Sequence, residues 1–466
     1  MTTSSPVAVG LSALVAAALM VMGANCGQAA QRPANSGNRA VLPNGITLLL
    51  YPVPGADGVA LESFYRVGSL HEPEGMTQIA HLLEHLVCQG ATSTYQAGQA
   101  MELLNQKGVA NAETMSHFTH FDYMLMAKDL ELALQVERER LTSLRITPEL
   151  IRQEASKCYW EADFVERNPR AGMLKHAFMA FNQAWRYGIS KVQVRGGLEG
   201  IPVADLERFH HASYHPKNLV LILIGAFERD EALQLVRKHL AAIPPRENAL
   251  PQPVPWAQVP KQMMIHWDSK VRAVCVTFPP PFDVGQRFIL SMWGNLLMQE
   301  LMTDKQIQAA ADAVFCANQA WSVGTLPFFV YATPKPHVSI PQLRRLLTTS
   351  LQTITAHKPS MMQMQQFRML AGQFAKEPDL DWGLIRREAK SLASQHGLDP
   401  ELATAMVMAN MAIQLGLREL LLGPDSAGQI QVLQDLTADD LYRVVQRTID
   451  PSKQSVTVLM PIEKAL

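Results

Sequence analysis

Cysteine is scarce in this sequence, and no two of its five cysteines form a CxxC pair. This scarcity excludes a disulfide-stapled scaffold and argues against a zinc ribbon. An excess of one charge is also missing, because 41 Lys and Arg oppose 42 Asp and Glu in 466 residues. A net charge of −1 provides neither a nucleic-acid-binding surface nor a polybasic membrane patch. Since 48% of the residues are hydrophobic, the chain is expected to fold, and its length predicts about two to four domains.

The amino terminus lacks charged side chains, and no Lys or Arg precedes Arg32. Val7–Ala24 is uncharged and rich in Ala, Gly and Ser, and small residues follow it. This pattern is typical of an export signal cleaved after Ala29. We therefore predict that residues 1–32 direct export to the bacterial periplasm. The alternatives are a retained membrane anchor, for which small residues are poorly suited, and lipid attachment at Cys26.

Two segments of the chain resemble each other. IPVADLERFHHASYHPKNLVLILIG begins at Ile201, and LTADDLYRVVQRTIDPSKQSVTVLMP begins at Leu436. Asp205 corresponds to Asp440 and Pro216 to Pro451, so both offsets are 235 residues. In each copy a helical pattern passes through a proline turn into a β-branched strand. The repeat predicts a duplicated domain.

Strand-like alternation and helical periodicity are mixed in both halves, which predicts an α+β fold of two related domains. A proline-rich stretch, IPPRENALPQPVPWAQVP, separates them and continues neither a helix nor a central strand. We therefore place an N-terminal domain at 33–243, a linker at 244–260 and a C-terminal domain at 261–466.

The sharpest chemical signal is an HxxEH sequence formed by His81, Glu84 and His85 in a helical segment that we expect to open at Pro73. At about 100° per residue the two histidines lie about 40° apart, so both imidazoles can bind one zinc ion. Glu84 projects about 60° from His81 and can reach a metal-bound water without being a ligand. Such a pattern indicates metal-assisted peptide hydrolysis, with a solvated helix face as the alternative.

A third protein ligand is expected on another element. The helical segment TPELIRQEASKCYWEADF contains Glu154 and Glu161, seven residues and thus about 20° apart on the helix. One of them can bind the metal while the other orients a ligand. The spacing alone does not decide between them.

Four segments together resemble the M16 peptidases, the inverted-motif zinc proteases or inverzincins that include pitrilysin, insulin-degrading enzyme and mitochondrial processing peptidase. The resemblance covers nearly the whole first half, in the order YRVGSLHEPEGMTQIAHLLEHLVCQG, GVANAETMSHFTHFDYMLM, IRQEASKCYWEADFVERNP and FHHASYHPKNLVLILIGAF. It implies two domains that each pack a mixed or mainly antiparallel sheet against helices.

The resemblance also implies roles for individual residues. His81 and His85 correspond to ligands of one Zn²⁺ per chain, and Glu84 to the general base that acts through a zinc-activated water. Glu161, 76 residues after His85, corresponds to the third ligand, and Glu154 to the acidic residue that supports it.

A substrate-binding strand is implied as well. Asn111 and Ala112 correspond to the edge strand that pairs with an extended substrate as an added β-strand. The expected substrates are unfolded peptides or protein fragments rather than folded proteins.

The second half departs from the family pattern. Self-sufficient members carry an Arg and, seven residues later, a Tyr that stabilise the tetrahedral intermediate. The tyrosines of the second half are Tyr331 and Tyr442, and Gly324 and Asp435 stand seven residues before them. We therefore expect a homologous M16-like partner that supplies the Arg/Tyr pair, in a heterodimer or, alternatively, a homodimer.

Two alternatives stay open. The first is a peptide-binding or assembly subunit of an M16-type complex with a structural zinc and no hydrolysis. The second concerns Cys88 and Cys158, which lie near the zinc-facing stripes of their helices. They are expected to be small buried apolar residues, with a disulfide between them as the alternative.

Overall fold

The computed structural model describes residues 38–73, 75–115, 117–167, 197–247, 250, 262–267, 271–279, 284–316, 328–375, 380–423 and 431–461. These residues form two β-sheets and the helices packed on them, which confirms the predicted α+β class. The predicted export segment and most of the predicted linker lie outside these residues.

The first sheet has six strands in the order β1-β2-β6-β3-β5-β4. Its strands are β1 (Arg39–Val41), β2 (Thr47–Pro52), β3 (Gly58–Tyr65), β4 (Gly108–Thr114), β5 (Thr119–Met126) and β6 (Leu219–Gly225). Strands β2 and β6 pair in parallel, and the other neighbours are antiparallel. Strand β4 therefore lies at one edge of this sheet.

The second sheet has five strands in the order β7-β11-β8-β10-β9. Its strands are β7 (Gln262–Trp267), β8 (Ala273–Phe278), β9 (Ala311–Cys316), β10 (Phe328–Pro334) and β11 (Ser455–Pro461). The β7–β11 pair is parallel and the others are antiparallel, as in the β2-β6-β3-β5-β4 part of the first sheet. This shared topology confirms the predicted duplication, although the domain boundaries remain predictions.

Helices from the first half cover one face of the first sheet. They are α1 (Ile79–Gln89), α2 (Gln99–Lys107), α3 (Leu130–Thr142), α4 (Pro148–Arg167), α5 (Val203–Ser213) and α6 (Arg229–Leu240). Leucines at 82, 83 and 86 bury the sheet-facing side of α1 in this core. That packing fixes α1, and the histidines next to these leucines, relative to the sheet.

Helix α1 begins at Ile79, later than the predicted opening at Pro73. Gln78 adopts a left-handed conformation with φ of 70°, which interrupts the helix there. The Glu72 carboxylate accepts hydrogen bonds from the backbone N–H groups of Gln78 (2.9 Å) and Ala80 (3.2 Å). Glu72 therefore satisfies donors that the first turn leaves free.

Helices from the second half are α7 (Val284–Thr303), α8 (Lys305–Ala310), α9 (Ile340–Thr355), α10 (Met361–Ala375), α11 (Trp382–His396), α12 (Pro400–Leu422) and α13 (Ala438–Thr448). Helices α11 and α12 pack on the other face of the first sheet, where they share a core with Phe64, Val220 and Ile222. Arg39 on β1 also forms an ion pair with Glu419 on α12 (3.0 Å). Both faces of the first sheet are thus covered, which explains why all seven residues of β6 are buried.

In the described part of the chain, no helix combines the length and the apolarity needed to cross a membrane.

Candidate metal centre

The two histidines of HxxEH lie side by side on helix α1. The rings of His81 and His85 are 4.8 Å apart between centroids and nearly perpendicular, at 80°. Their side chains are 28% and 13% exposed, so both border an accessible space rather than the closed core. The structure thus places the two imidazoles together, as the four-residue spacing predicts.

Helix α4 packs on α1 and brings Glu161 to both histidines. Its Oε2 lies 3.1 Å from His81 Nε2 and 3.6 Å from His85 Nε2. Tetrahedral ligands with bonds of about 2.0–2.1 Å are separated by about 3.3–3.4 Å. The Glu161 oxygen therefore lies at about this separation from each imidazole nitrogen, and two imidazoles with one carboxylate are a donor set that fits zinc.

Glu154 contacts the other nitrogen of His85. His85 Nδ1 donates to Glu154 Oε2 (3.1 Å), while Glu154 Oε1 accepts from Lys157 (2.7 Å). The Glu154 side chain is 3% exposed, against 41% for Glu161. The two carboxylates thus lie in different environments: Glu154 is buried against His85 Nδ1, and Glu161 faces the accessible side next to both Nε2 atoms.

The electrostatics follow from these contacts. Burial by itself lowers the pKa of His81, but hydrogen bonds with Cys158 and Glu161 outweigh it and raise the pKa to about 10. Burial also opposes ionisation of Glu161, yet His81 and His85 hold its pKa well below the usual range. These shifts favour the charged form of His81 and the ionised form of Glu161.

Glu84 is 6% exposed and points toward the sheet edge. Its Oε2 accepts a hydrogen bond from the hydroxyl of Thr114, the last residue of β4, at 2.6 Å. The sequence patterns did not identify Thr114. The available signal is its position in the same strand as Asn111 and Ala112, which places it beside the HxxEH helix only once the sheet has formed.

Asn111 and Ala112 both lie in β4, which pairs only with β5 among the described residues. Ala112 faces the core that contains α1, whereas the Asn111 side chain bonds Asp122 on the opposite face. The strand therefore has one unpaired edge next to Glu84. This position is compatible with the predicted substrate strand but does not test it.

Cys158 is buried, as expected, and lies next to the two histidines. Its sulfur and one nitrogen each of His81 and His85 all lie within 4.8 Å of one another. Burial raises the pKa of this thiol, but the two imidazoles more than offset it, so the pKa is lowered. Both Cys158 and Cys88 are free and buried, so the structure contains no disulfide between them.

A second cluster of ionisable groups lies on the other face of the first sheet. His120 Nδ1 is 2.6 Å from Asp122 Oδ1 and 3.4 Å from Glu62 Oε2, and its Nε2 is 3.5 Å from Glu113. His120 also stacks on Phe64, with centroids 5.1 Å apart. This cluster, which the sequence spacing did not predict, is separated from the HxxEH histidines by the sheet.

The two tyrosines of the second half occupy different environments. Tyr331 is buried in β10, and its hydroxyl has no hydrogen-bond partner among the described residues. Tyr442 lies on α13 and donates to the Ala356 carbonyl (3.4 Å). In neither position does an Arg stand seven residues earlier.

Family comparisons agree with this architecture. A family model described as insulinase (peptidase family M16) matches residues 54–190, and one described as peptidase M16 inactive domain matches residues 200–369. The two matches cover well over half of the chain, and the chain belongs to peptidase family M16.

Individual relatives are distant. Zinc protease PqqE of Helicobacter pylori is 26% identical over 334 residues, which are 67% of this chain and 73% of that protein. The mitochondrial-processing peptidase subunit beta of Saccharomyces cerevisiae is 23% identical over 219 residues, which are 47% of each chain. A protease structure from Helicobacter pylori has a TM-score of 0.67 at 21% identity and covers 91% of this chain and 99% of its own, which shows a shared fold. The names of the relatives support a peptidase-like function that uses zinc.

Proposed function

We propose that this chain is the zinc-holding subunit of an M16 metalloendopeptidase that hydrolyses unfolded peptides or protein fragments. His81, His85 and Glu161 hold the metal, and Glu154 positions His85. The observation that carries the proposal is the convergence of both imidazole Nε2 atoms on one oxygen of Glu161, at 3.1 and 3.6 Å, on the side of α1 next to Glu84.

Zinc bound by these donors supplies a Lewis acid that polarises a carbonyl and brings the pKa of water toward 7. Glu84 then acts as general base, taking a proton from the attacking water and passing it to the leaving amine. The Thr114 hydroxyl holds Glu84 Oε2, which fixes the carboxylate in one orientation for both transfers. Glu84 is nearly buried, so little bulk water competes for that proton.

Substrate binds as an added strand on the free edge of β4. Backbone hydrogen bonds to the unpaired groups of the strand that contains Asn111 and Ala112 hold an extended peptide whatever its side chains are, which accounts for a preference for unfolded chains. Because Thr114 joins this strand to Glu84, a peptide paired with β4 passes next to the general base.

A homologous partner completes the site in this proposal. No Arg/Tyr pair at the family spacing is present in the second half, and each such donor contributes about 2.7–4 kcal/mol of transition-state stabilisation. The yeast relative carries the name of a peptidase subunit, which supports a division of the site between two chains. A heterodimer is the arrangement we favour, with a homodimer as the alternative.

The test measures zinc content and cleavage of a quenched fluorescent peptide mixture by the full chain. It is repeated with a co-expressed homologue that carries the Arg/Tyr pair, and with Glu84→Gln as the control. We expect one zinc per chain, cleavage only with the partner, and loss of cleavage in Glu84→Gln with zinc retained. Full activity of the chain alone contradicts the partner, and activity of Glu84→Gln contradicts the general base.

A non-hydrolytic peptide-binding subunit with a structural zinc is the second candidate, and the missing Arg/Tyr pair favours it. A structural site has no use for a carboxylate held beside the metal ligands, as Glu84 is by Thr114. Bound zinc with peptide binding but no cleavage in any pairing supports this second candidate instead.

The proposed location is the periplasm, with a membrane anchor as the alternative. The observation behind it is the uncharged stretch Val7–Ala24, which lies outside the described residues. A mature protein that begins near Ala30 supports export with cleavage, and a mature protein that keeps residues 1–32 supports the anchor.

A further inference from the structure

Three buried ionisable side chains meet on the face of the first sheet that is turned away from the HxxEH histidines. They are Glu62 of β3 and His120 and Asp122 of β5. Alternate residues of a strand point to the same face, so His120 and Asp122 are neighbours on it. Antiparallel pairing of β3 with β5 places Glu62 directly opposite Asp122. The two strands therefore bring one imidazole and two carboxylates together.

The charges of these three side chains do not balance among themselves. Glu62 and Asp122 are 0% and 7% exposed, and like charges directly opposite each other on paired strands destabilise a sheet. In the described part of the chain no Lys or Arg forms an ion pair with either carboxylate, and His120 supplies at most one positive charge. A divalent cation neutralises both carboxylates. In the metal-free protein a proton takes over part of this role, because burial and Asp122 raise the pKa of Glu62.

The donor atoms of the cluster are available to a cation. Glu62 Oε1 and Asp122 Oδ1 are buried and have no hydrogen-bond partner among the described residues. One ligand atom of each of Glu62, His120 and Asp122 lies within 4.8 Å of the other two. His120 Nδ1 is 3.4 Å from Glu62 Oε2 and 2.6 Å from Asp122 Oδ1. Bonds of about 2.0–2.2 Å to one ion set its ligands about 2.8–3.6 Å apart, so a small opening of the Asp122 contact admits the ion.

Two residues of β4 support these donors from the neighbouring strand. Glu113 Oε2 lies 3.5 Å from His120 Nε2, which favours the tautomer that leaves Nδ1 for a metal. The Asn111 side chain hydrogen-bonds Asp122. Since the Glu113 side chain is 47% exposed, this side of the cluster also gives a cation its path from solvent.

We propose that Glu62, His120 and Asp122 bind a divalent metal ion, of which Mn²⁺ is the type, at a site separate from the HxxEH motif. Carboxylate oxygens outnumber the imidazole nitrogen here, which favours a harder ion than the two imidazoles of HxxEH do. The ion joins β3 to β5, and through Glu113 and Asn111 it fixes the edge strand β4. This role is structural, and it does not depend on hydrolysis at HxxEH.

The test titrates Mn²⁺ into the full chain after it has been loaded with one equivalent of zinc. Free aqueous Mn²⁺ gives a six-line electron paramagnetic resonance spectrum that is lost on binding, so the remaining signal measures the bound fraction. Zinc content is measured before and after, which shows whether Mn²⁺ has displaced zinc. The variants are Glu62→Gln and Asp122→Asn. Glu139→Gln is the matched control, because Glu139 is also a buried carboxylate but bonds Ser93 outside the cluster.

We expect one Mn²⁺ per chain in the wild type and in Glu139→Gln, with zinc retained. In Glu62→Gln and Asp122→Asn we expect binding to weaken by more than about 10-fold, the lower limit for loss of an outer support. No Mn²⁺ binding by the wild type overturns the inference and means that protons alone neutralise the cluster. Unchanged binding in both cluster variants, or release of one zinc for each Mn²⁺ bound, also overturns it. A chain that fails to take up zinc contradicts the proposed function, whereas the comparison of wild type with the cluster variants still decides this inference.

Discussion

At the residue scale, the two glutamates of α4 lie in different environments, and the proposed function gives them different roles. Glu161 Oε2 lies 3.1 and 3.6 Å from nitrogens of the two imidazoles, and its side chain is 41% exposed, while Glu154 is 3% exposed and contacts His85 but not His81. A buried carboxylate that holds Nδ1 fixes the tautomer in which Nε2 is free to bind metal. The assignment thus depends on which side of α4 reaches solvent, a tertiary property.

Glu154→Gln tests this positioning role. The amide keeps the shape but lacks the charge that orients His85, so we expect metal affinity to fall by about 10-fold, at the lower end of the range for such supports. Competition against a chromophoric chelator measures the change. Lys157→Met is the matched control, because it removes only the ion pair at the other oxygen, and we expect a smaller loss. Equal losses in the two variants contradict the role of Glu154.

Residue spacing alone predicted only those parts of the site whose directions are set by regular helix geometry. His81, Glu84 and His85 are four residues apart at most, and a single helix fixes their directions. Thr114 and Cys158 reach the same site through contacts of β4 and α4 with α1, which no periodicity contains. Spacing placed Cys158 near the zinc-facing stripe of its helix, but it could not single out Thr114, whose residue type is common at structural and solvated positions.

At the element scale, helix α12 depends on a close approach to the first sheet. A Cβ added at Gly416 lies 2.7 Å from Cδ2 and 2.9 Å from Cζ of the Phe64 ring. Phe64 is fully buried and packs against Phe118, with centroids 5.3 Å apart, so it has little room to move. The glycine is therefore required by packing, although it is a poor helix former.

Gly416→Ala is expected to destabilise the protein by about 1–3 kcal/mol, because overpacking outweighs the gain in helix propensity of about 1 kcal/mol. Gly372→Ala on α10 is the matched control. Its Cβ meets only the amide nitrogen of Gln434 at 3.3 Å, so we expect no loss or a small gain. Urea unfolding of both variants measures the difference. Equal stability of the two contradicts the close contact between α12 and the sheet.

The buried cluster of His120, Asp122 and Glu62 links strands β3 and β5. We expect it to make the free energy of unfolding depend on pH. Burial by itself lowers the pKa of His120, but Asp122, Glu113 and Glu62 outweigh it and raise the pKa well above its usual value. Between about 6.5 and that raised pKa, the folded state holds a proton that the unfolded state has lost. Stability from this group is therefore complete at low pH and declines as pH rises.

We expect the free energy of unfolding of the wild type to fall more steeply between pH 6.5 and 9, as rough limits, than that of His120→Gln. Burial and Asp122 also raise the pKa of Glu62, which adds a contribution of the same sign. Asp122, whose pKa is lowered, loses its contribution only in acid. Urea unfolding in the presence of chelator makes the comparison, and His81 and His85 contribute equally to both proteins. Parallel pH profiles contradict the proposed protonation of His120.

The repeat and the start of α1 show which features of the secondary structure could be predicted from the sequence and which could not. The repeat around Pro216 and Pro451 was visible in the sequence, and it correctly indicated two copies of one unit. The late start of α1 was not visible. It depends on Glu72 folding back onto the first turn, and a side-chain cap six residues upstream leaves no periodic signal.

At the scale of the whole molecule, helices from the second half cover one face of the first sheet. Helices α11 and α12 bury an apolar face that includes Phe64, Val220, Ile222 and Ile224. The near-continuous hydrophobic run of β6 follows from this, because a strand covered on both faces needs no polar alternation. The sequence predicts two related domains, but no pattern in it indicates that one supplies helices to the other.

A fragment of residues 33–250 should therefore aggregate or bind a hydrophobic dye, because it leaves this face uncovered, beyond the few hundred Å² that monomers usually expose. Co-expressed with residues 251–466, it should become soluble and copurify with them. As the control, a protease site inserted in the proline-rich stretch allows the folded chain to be cut, and the halves should stay together in gel filtration. The covering role of α11 and α12 is contradicted if the fragment of residues 33–250 is monomeric, does not bind the dye and is as stable as the full chain. Separation of the cut halves contradicts it equally, since the buried face and the Arg39–Glu419 ion pair predict that they remain joined.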